Sequence, residues 1–115
     1  MDLRNVVVAI SGASGSIYGI RVLQMLRQVE DVNSHLVITP SAKSTIGVET
    51  EYSVSEIEEL ADEVHSARDI GASIASGSFK TVGMIVAPCS IKTLSAIANS
   101  FGADLVSRAA DVTLK

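Results

Sequence analysis

The chain has 115 residues, near the common size of one domain, with 47% apolar and 19% charged residues; that balance excludes a disordered chain and fits one modest core. Its net charge is −4 and no run of Lys or Arg occurs, which disfavours nucleic acid and anionic membranes as partners. No apolar run approaches the roughly 20 residues that span a bilayer and no basic-then-apolar leader opens the chain, so the expected location is the cytoplasm.

Residues 6–10, VVVAI, are an unbroken run rich in β-branched residues, the pattern of a strand buried on both faces. The period then changes. Ile20, Leu23, Leu26 and Val29 fall on one face of a helix that begins near Ile17, with Arg21, Gln24, Arg27 and Gln28 between them. Residues 35–39 read as a second strand, and residues 41–48 as a short helix after Pro40. Ser55 with Glu58 forms a capping-box pattern for a helix running toward Val64; Ser53 with Glu56 offers the same start two residues earlier. Residues 66–80, SARDIGASIASGSFK, lack a clean period and read as an irregular loop able to carry function. Residues 81–87, TVGMIVA, predict a third buried strand closed by Pro88, followed by a helix over about 90–100. Gly102 is a natural stop, and helical spacing resumes through Leu105, Ala109 and Val112. The order β-α-β-α-α-β-α-α predicts an α/β fold, a single domain over 1–115 with a parallel sheet of about three strands, helices on both faces and right-handed crossovers.

The stretch ISGASGSIYGIR carries the first strand into its helix through small residues. Gly12 and Gly15 permit backbone angles and close approach, and backbone N–H groups at a positive helix end suit phosphate. The Ser11, Ser14 and Ser16 hydroxyls add hydrogen bonds. The motif is neither GxGxxG nor a P-loop, and a tight structural turn explains it equally well. A second junction of the same kind, Pro88-Cys89-Ser90-Ile91-Lys92-Thr93, shifts the balance. Strand ends that converge in a doubly wound sheet make one crevice, which Thr39 would also face. The plainer readings are that Ser90 and Thr93 cap a helix and that Lys92 is a solvated charge. Cys89 has no partner for a disulfide, neither His35 nor His65 is near it in sequence, and no CxxC or HExxH spacing exists. It reads as a small buried thiol, with no metal site expected.

ISGASGSIYGIR, VETEY, IASGSF, PCSIKTLSAIA and SRAADVTLK together resemble the UbiX-type flavin prenyltransferases, over essentially the whole chain and in the same order. The resemblance implies a three-layer flavodoxin-like Rossmann fold that binds FMN. It also implies transfer of a dimethylallyl group from dimethylallyl monophosphate to N5 of reduced FMN, with ring closure onto the benzenoid ring, for use by a UbiD-type decarboxylase. By matching motif, Gly12, Ala13, Ser14, Thr39, Ser90, Ile91, Lys92 and Thr93 would contact the cofactor. Glu49, assisted by Ser14, would handle protons. Ser76 and Gly77 would reach the prenyl phosphate of a neighbouring subunit, and Arg108 and Lys115 would bind that phosphate and stabilise its departure. Arg108 and Lys115, seven residues apart, lie near one helical face. A homo-oligomer, trimeric or dodecameric, is implied as well.

Similar proteins continue for a substantial further stretch that completes the flavin and phosphate sites, so the chain reads as truncated at its C-terminal side. Two alternatives to the prenyltransferase follow: an FMN-binding module without turnover, and an interaction domain whose glycine turns are only structural.

Overall fold

Four parallel strands form the sheet in the order β3-β2-β1-β4, one more than the sequence predicts. The computed structural model describes residues 3–115. Strand β1 (Arg4–Ile10) leads to helix α1 (Ser16–Leu26), then β2 (Val32–Ile38), α2 (Pro40–Glu49), α3 (Val54–Glu58) and β3 (Glu63–Ser66). A 3₁₀ turn (Ser73–Ala75), β4 (Gly83–Val86), α4 (Ile91–Ala98) and α5 (Leu105–Leu114) complete it. β1 is central, in register with β2 from Arg4↔Val32 to Ile10↔Ile38 and with β4 from Val6↔Gly83 to Ala9↔Val86.

Alternation along β1 builds two cores, because successive side chains leave opposite faces of a strand. Val6, Val8 and Ile10 pack with Leu36 and Ile38 beneath Ile20, Leu23, Ile46 and Ile57 of the first three helices. Val7, Ala9 and Val37 face the other way, toward Leu105, Val106 and Ala109 of α5 and Ile74 of the 3₁₀ turn. The sheet therefore lies between two layers, the three-layer α/β arrangement that the sequence predicts. Each fully buried Val, Leu or Ile contributes about 1.5–3 kcal/mol.

The helix expected to run toward Val64 ends at Glu58. Its start is the Ser53 alternative: Ser53 Oγ accepts from Glu56 N at 3.1 Å, and Glu56 Oε1 accepts from Ser53 N at 2.8 Å. Asp62 then takes the Ser34 N–H at 2.7 Å and Ser34 Oγ takes the Asp62 N–H at 3.0 Å. This two-way link turns the chain alongside β2 and starts β3. The strand at 81–87 is also shorter and less buried than its apolar run implies; Ile85 is 38% exposed, because β4 is an edge strand. Val29 lies beyond the end of α1 and is exposed.

Candidate functional site

The carboxyl ends of β1, β2 and β4 meet where three chain segments turn into helices. Ser11, buried at the end of β1, ties two of them together. Its hydroxyl donates to the Pro88 carbonyl at 2.7 Å and accepts from Ser90 N at 2.7 Å, while its N–H also reaches Pro88 O at 3.1 Å. The hydroxyl that sequence reasoning offered to phosphate is thus committed within the protein. Ser11 thus ties the two junctions together, but none of residues 11–16 lines the cavity at these strand ends.

Gly12 sits under the first turn of α2. A Cβ built there would overlap Ser41 Oγ and lie 2.6 Å from Ser41 Cβ, so glycine is required for packing. Gly15 has φ +108°, in the left-handed range that side chains rarely adopt. Its N–H and that of Ser16 both donate to Glu49 Oε1, at 3.1 and 3.3 Å. A carboxylate from the last residue of α2 thus occupies the α1 N-terminus, the place the sequence reading gave to phosphate. The backbone N–H of Ser16 and then that of Gly15 hold the Glu49 carboxyl below the usual carboxylate range, with smaller help from the Ser14 hydroxyl. Glu49 is therefore ionised at neutral pH, and the same two N–H bonds make it a weaker base than a free carboxylate.

Thr39 and Ser90 are helix caps. Thr39 Oγ1 accepts from Ala42 N at 3.2 Å, and Ser90 Oγ accepts from Thr93 N at 3.1 Å while donating to Thr93 Oγ1 at 3.0 Å. Capping does not remove them from the surface they share. Thr39, Ser90, Lys92 and Thr93 line one cavity of about 690 Å³ together with Pro40, Ser41, Ala96, Phe101 and Ser107. That volume falls within the range of small-molecule sites, about 300–1,000 Å³. Hydroxyls and one ammonium gather toward the start of α4, while Pro40, Ala96, Phe101 and Ala103 share the remaining wall with polar Ser95, Asn99 and Ser107 and with the Asp104 carboxylate. This donor set fits FMN, whose ring system is largely apolar and whose phosphate is anionic. Ile91 is 81% exposed and lies outside the cavity wall. Cys89 is half-buried, and burial pushes its thiol up, away from the reactive thiolate.

The remaining site residues lie elsewhere. Gly77 lines a second hollow of about 280 Å³ against Val112 and Thr113 of α5, with Phe79 and Lys80. Ser76 Oγ is 2.9 Å from Ser78 Oγ. Arg108 and Lys115 are not on the wall of the larger cavity. They share Asp111, which the sequence reading missed: Lys115 Nζ donates to Asp111 Oδ2 at 2.9 Å, and this bond and both cations lower the Asp111 carboxyl. The i,i+4 spacing of Asp111 and Lys115 was the available signal. His35 and His65 also went unpaired in the sequence reading, yet their rings meet at 3.0 Å.

A family model described as Flavoprotein matches residues 1–115. The chain is 55% identical over 113 residues to the flavin prenyltransferase UbiX of Escherichia coli K12, covering 98% of this chain and 60% of that protein. A crystal structure of AnUbiX (PadA1) in complex with FMN and dimethylallyl pyrophosphate superposes with a TM-score of 0.94 at 50% identity, covering 97% of this chain and 59% of the other. A dodecameric FMN-dependent UbiX-like decarboxylase from Escherichia coli O157:H7 gives 0.93 at 47% identity, with 96% and 60% covered. The chain therefore spans about 60% of the length of these relatives. With the fold shared at this level and the family model matched from end to end, the chain belongs to the Flavoprotein family.

Proposed function

We propose that residues 1–115 form a single FMN-binding domain of a cytoplasmic flavin prenyltransferase, which moves dimethylallyl from dimethylallyl monophosphate to reduced FMN and supplies the product to a UbiD-type decarboxylase. The observation that carries this reading is the cavity of about 690 Å³ at the strand ends, with Thr39, Ser90, Lys92 and Thr93 on its wall. Gly12 adjoins it through Ser41, and Gly12, Ala13 and Ser14 contact the cofactor from the β1 side. When bound and reduced, the flavin supplies the nucleophilic nitrogen. The chain's residues position it and manage charge.

Glu49, ionised and fixed on two backbone N–H groups, accepts a proton, with the Ser14 hydroxyl as its neighbour. Arg108 and Lys115 stabilise charge on the departing phosphate oxygens, with Asp111 holding the lysine until an anion competes for it. Ser76 and Gly77 complete that phosphate site across a subunit boundary, which makes a homo-oligomer, trimeric or dodecameric, part of the reading.

Mass spectrometry of the flavin after incubation with reduced FMN and either dimethylallyl monophosphate or the pyrophosphate tests the proposal. Addition of one prenyl unit from the monophosphate is the expected result. A chain that binds FMN and forms no product would be a binding module, and one that leaves the flavin spectrum and titration unchanged would overturn the cavity assignment.

A further inference from the structure

On the α5 side of the sheet, far along β2 from the strand ends, two histidines share a hydrogen bond. His35 Nδ1 is 3.0 Å from His65 Nε2, the ring planes differ by 4° and the centroids are 5.2 Å apart. Nitrogens at 3.0 Å are closer than two stacked faces come, so the rings meet edge to edge. Two imidazole nitrogens on one tetrahedral ion, each ~2.0–2.1 Å from it, would stand about 3.4 Å apart, whereas 3.0 Å is the spacing of a hydrogen bond. The gap fits a proton.

Neighbouring amides fix where that proton sits. Asn5 Nδ2 donates to the Lys80 carbonyl at 3.1 Å, which leaves Asn5 Oδ1 to accept. Asn33 Nδ2 lies 2.6 Å from Glu63 Oε2, 3.1 Å from His35 Nε2 and 3.2 Å from Asn5 Oδ1; we assign its two hydrogens to the two oxygens, which leaves none for His35. His35 Nε2, 3.0 Å from the same Asn5 oxygen, therefore carries a hydrogen and donates it. His35 Nδ1 is left as an acceptor, and His65 Nε2–H donates to it. His35 is 1% exposed. An added proton on its Nδ1 would set two N–H groups against each other for as long as His65 keeps its own hydrogen on Nε2.

The network holds both ends of one segment. His65 precedes residues 67–80 in β3, and Ala67 O accepts the Leu105 N–H of α5 at 3.0 Å. At the far end Phe79 packs edge-on against His35, centroids 5.2 Å apart at 76°, and Lys80 O is held by Asn5. We propose that His35 and His65 form a proton-sensitive clasp, whose shared N–H···N bond fixes both ends of segment 67–80 while His35 is neutral and releases the segment when acid forces a proton onto that ring.

The groups facing His35 are Glu63, 3.4 Å from Nε2, Asp62 at the start of β3, His65, Asn5 and Asn33. The α5 face over this layer contributes apolar Leu105, Val106 and Ala109. Burial lowers the His35 pKa and outweighs the opposing effect of Glu63. In the open segment the ring regains its ordinary value near 6.5. The open form thus binds more protons below that pH, and opening is favoured as pH falls. Ser76 and Gly77 lie in this segment, so any effect on a prenyl phosphate rests on the function proposed above; the clasp does not.

Hydrogen exchange of the whole chain, without flavin or prenyl donor, tests the clasp separately from that function. Protection factors for residues 67–80 should fall by up to about tenfold per pH unit below about 6.5, while those of β1 stay flat. In His65→Gln the side-chain amide can turn either N–H or C=O toward His35, so protection at pH 7.5 should stay within about threefold and lose its pH dependence. Imidazole ¹⁵N shifts of the unmodified protein should show neutral His35 protonated on Nε2 alone and titrating below its ordinary value. A Nδ1-protonated His35 at pH 7, titration of His35 near 6.5, or protection of 67–80 that ignores pH would overturn the proposal.

Discussion

At the β1–α1 junction most polar groups are bonded within the chain, the buried Ser16 hydroxyl being the exception. Glu49 receives the Gly15 and Ser16 N–H groups, Ser41 covers Gly12, and Ser11 is bonded to Pro88 and Ser90. At the β4–α4 junction Ser90 caps a helix that buries no residue, and the surface opens into the large cavity. Two turns of similar composition have therefore taken different work. The first is a rigid seat that carries its own negative charge, and the second is the wall a ligand meets.

Glu49→Gln gives the largest expected effect and sharpens this contrast most. Glutamine keeps an acceptor for the two N–H groups but cannot take up a proton, so prenyl transfer should fall by about 10²–10⁴ with a much smaller change in FMN affinity. Equal losses in both would reduce Glu49 to a structural cap. The same variant tests acid behaviour. A carboxyl held low in the fold stabilises it above the ordinary value of about 4.3 and loses that contribution as pH falls through its lower folded value. Thermal melts between pH 5 and 3 should accordingly be less pH-dependent in the variant.

Gly12→Val comes next, because overpacking against Ser41 costs about 1–3 kcal/mol and displaces the start of α2, where Thr39 to Ser41 line the cavity. Melting temperature and FMN affinity should drop together; a parental titration curve would break the idea of a packed seat. Ser90→Ala removes a helix cap worth about 1 kcal/mol and should weaken FMN binding by a comparable factor. Cys89→Ala should change least, retaining FMN binding and transfer, since burial keeps this thiol protonated. Loss of chemistry with the fold intact would make the thiol a reacting group.

The central strands were legible because each is an apolar run buried on both faces, and the junctions were legible because Gly, Pro and Ser punctuate them. β3 was not. Its four residues, Glu63-Val64-His65-Ser66, sit at an edge with three of them exposed, so no apolar period marks a strand; what makes it one is the pairing of Asp62 with Ser34, 28 residues away. A separation of 30 residues likewise hid the His35–His65 contact, since parallel pairing of β2 with β3 brings the two rings together. Candidate site residues were recognisable by type and by matched motif. Which hydroxyls face a ligand and which are consumed by caps depends on side-chain direction, which spacing does not encode.

The sheet also ends in two unlike ways. The β3 edge bears Glu63 and follows Asp62, charges of the kind that discourage a further strand from pairing. The β4 edge, Gly83-Met84-Ile85-Val86, bears none, and Val82 beside it is 64% exposed. Among the described residues no strand pairs with its outer side. Such an edge is a template for any extended segment that reaches it, and a net charge of −4 spread over the rest of the surface does not guard it.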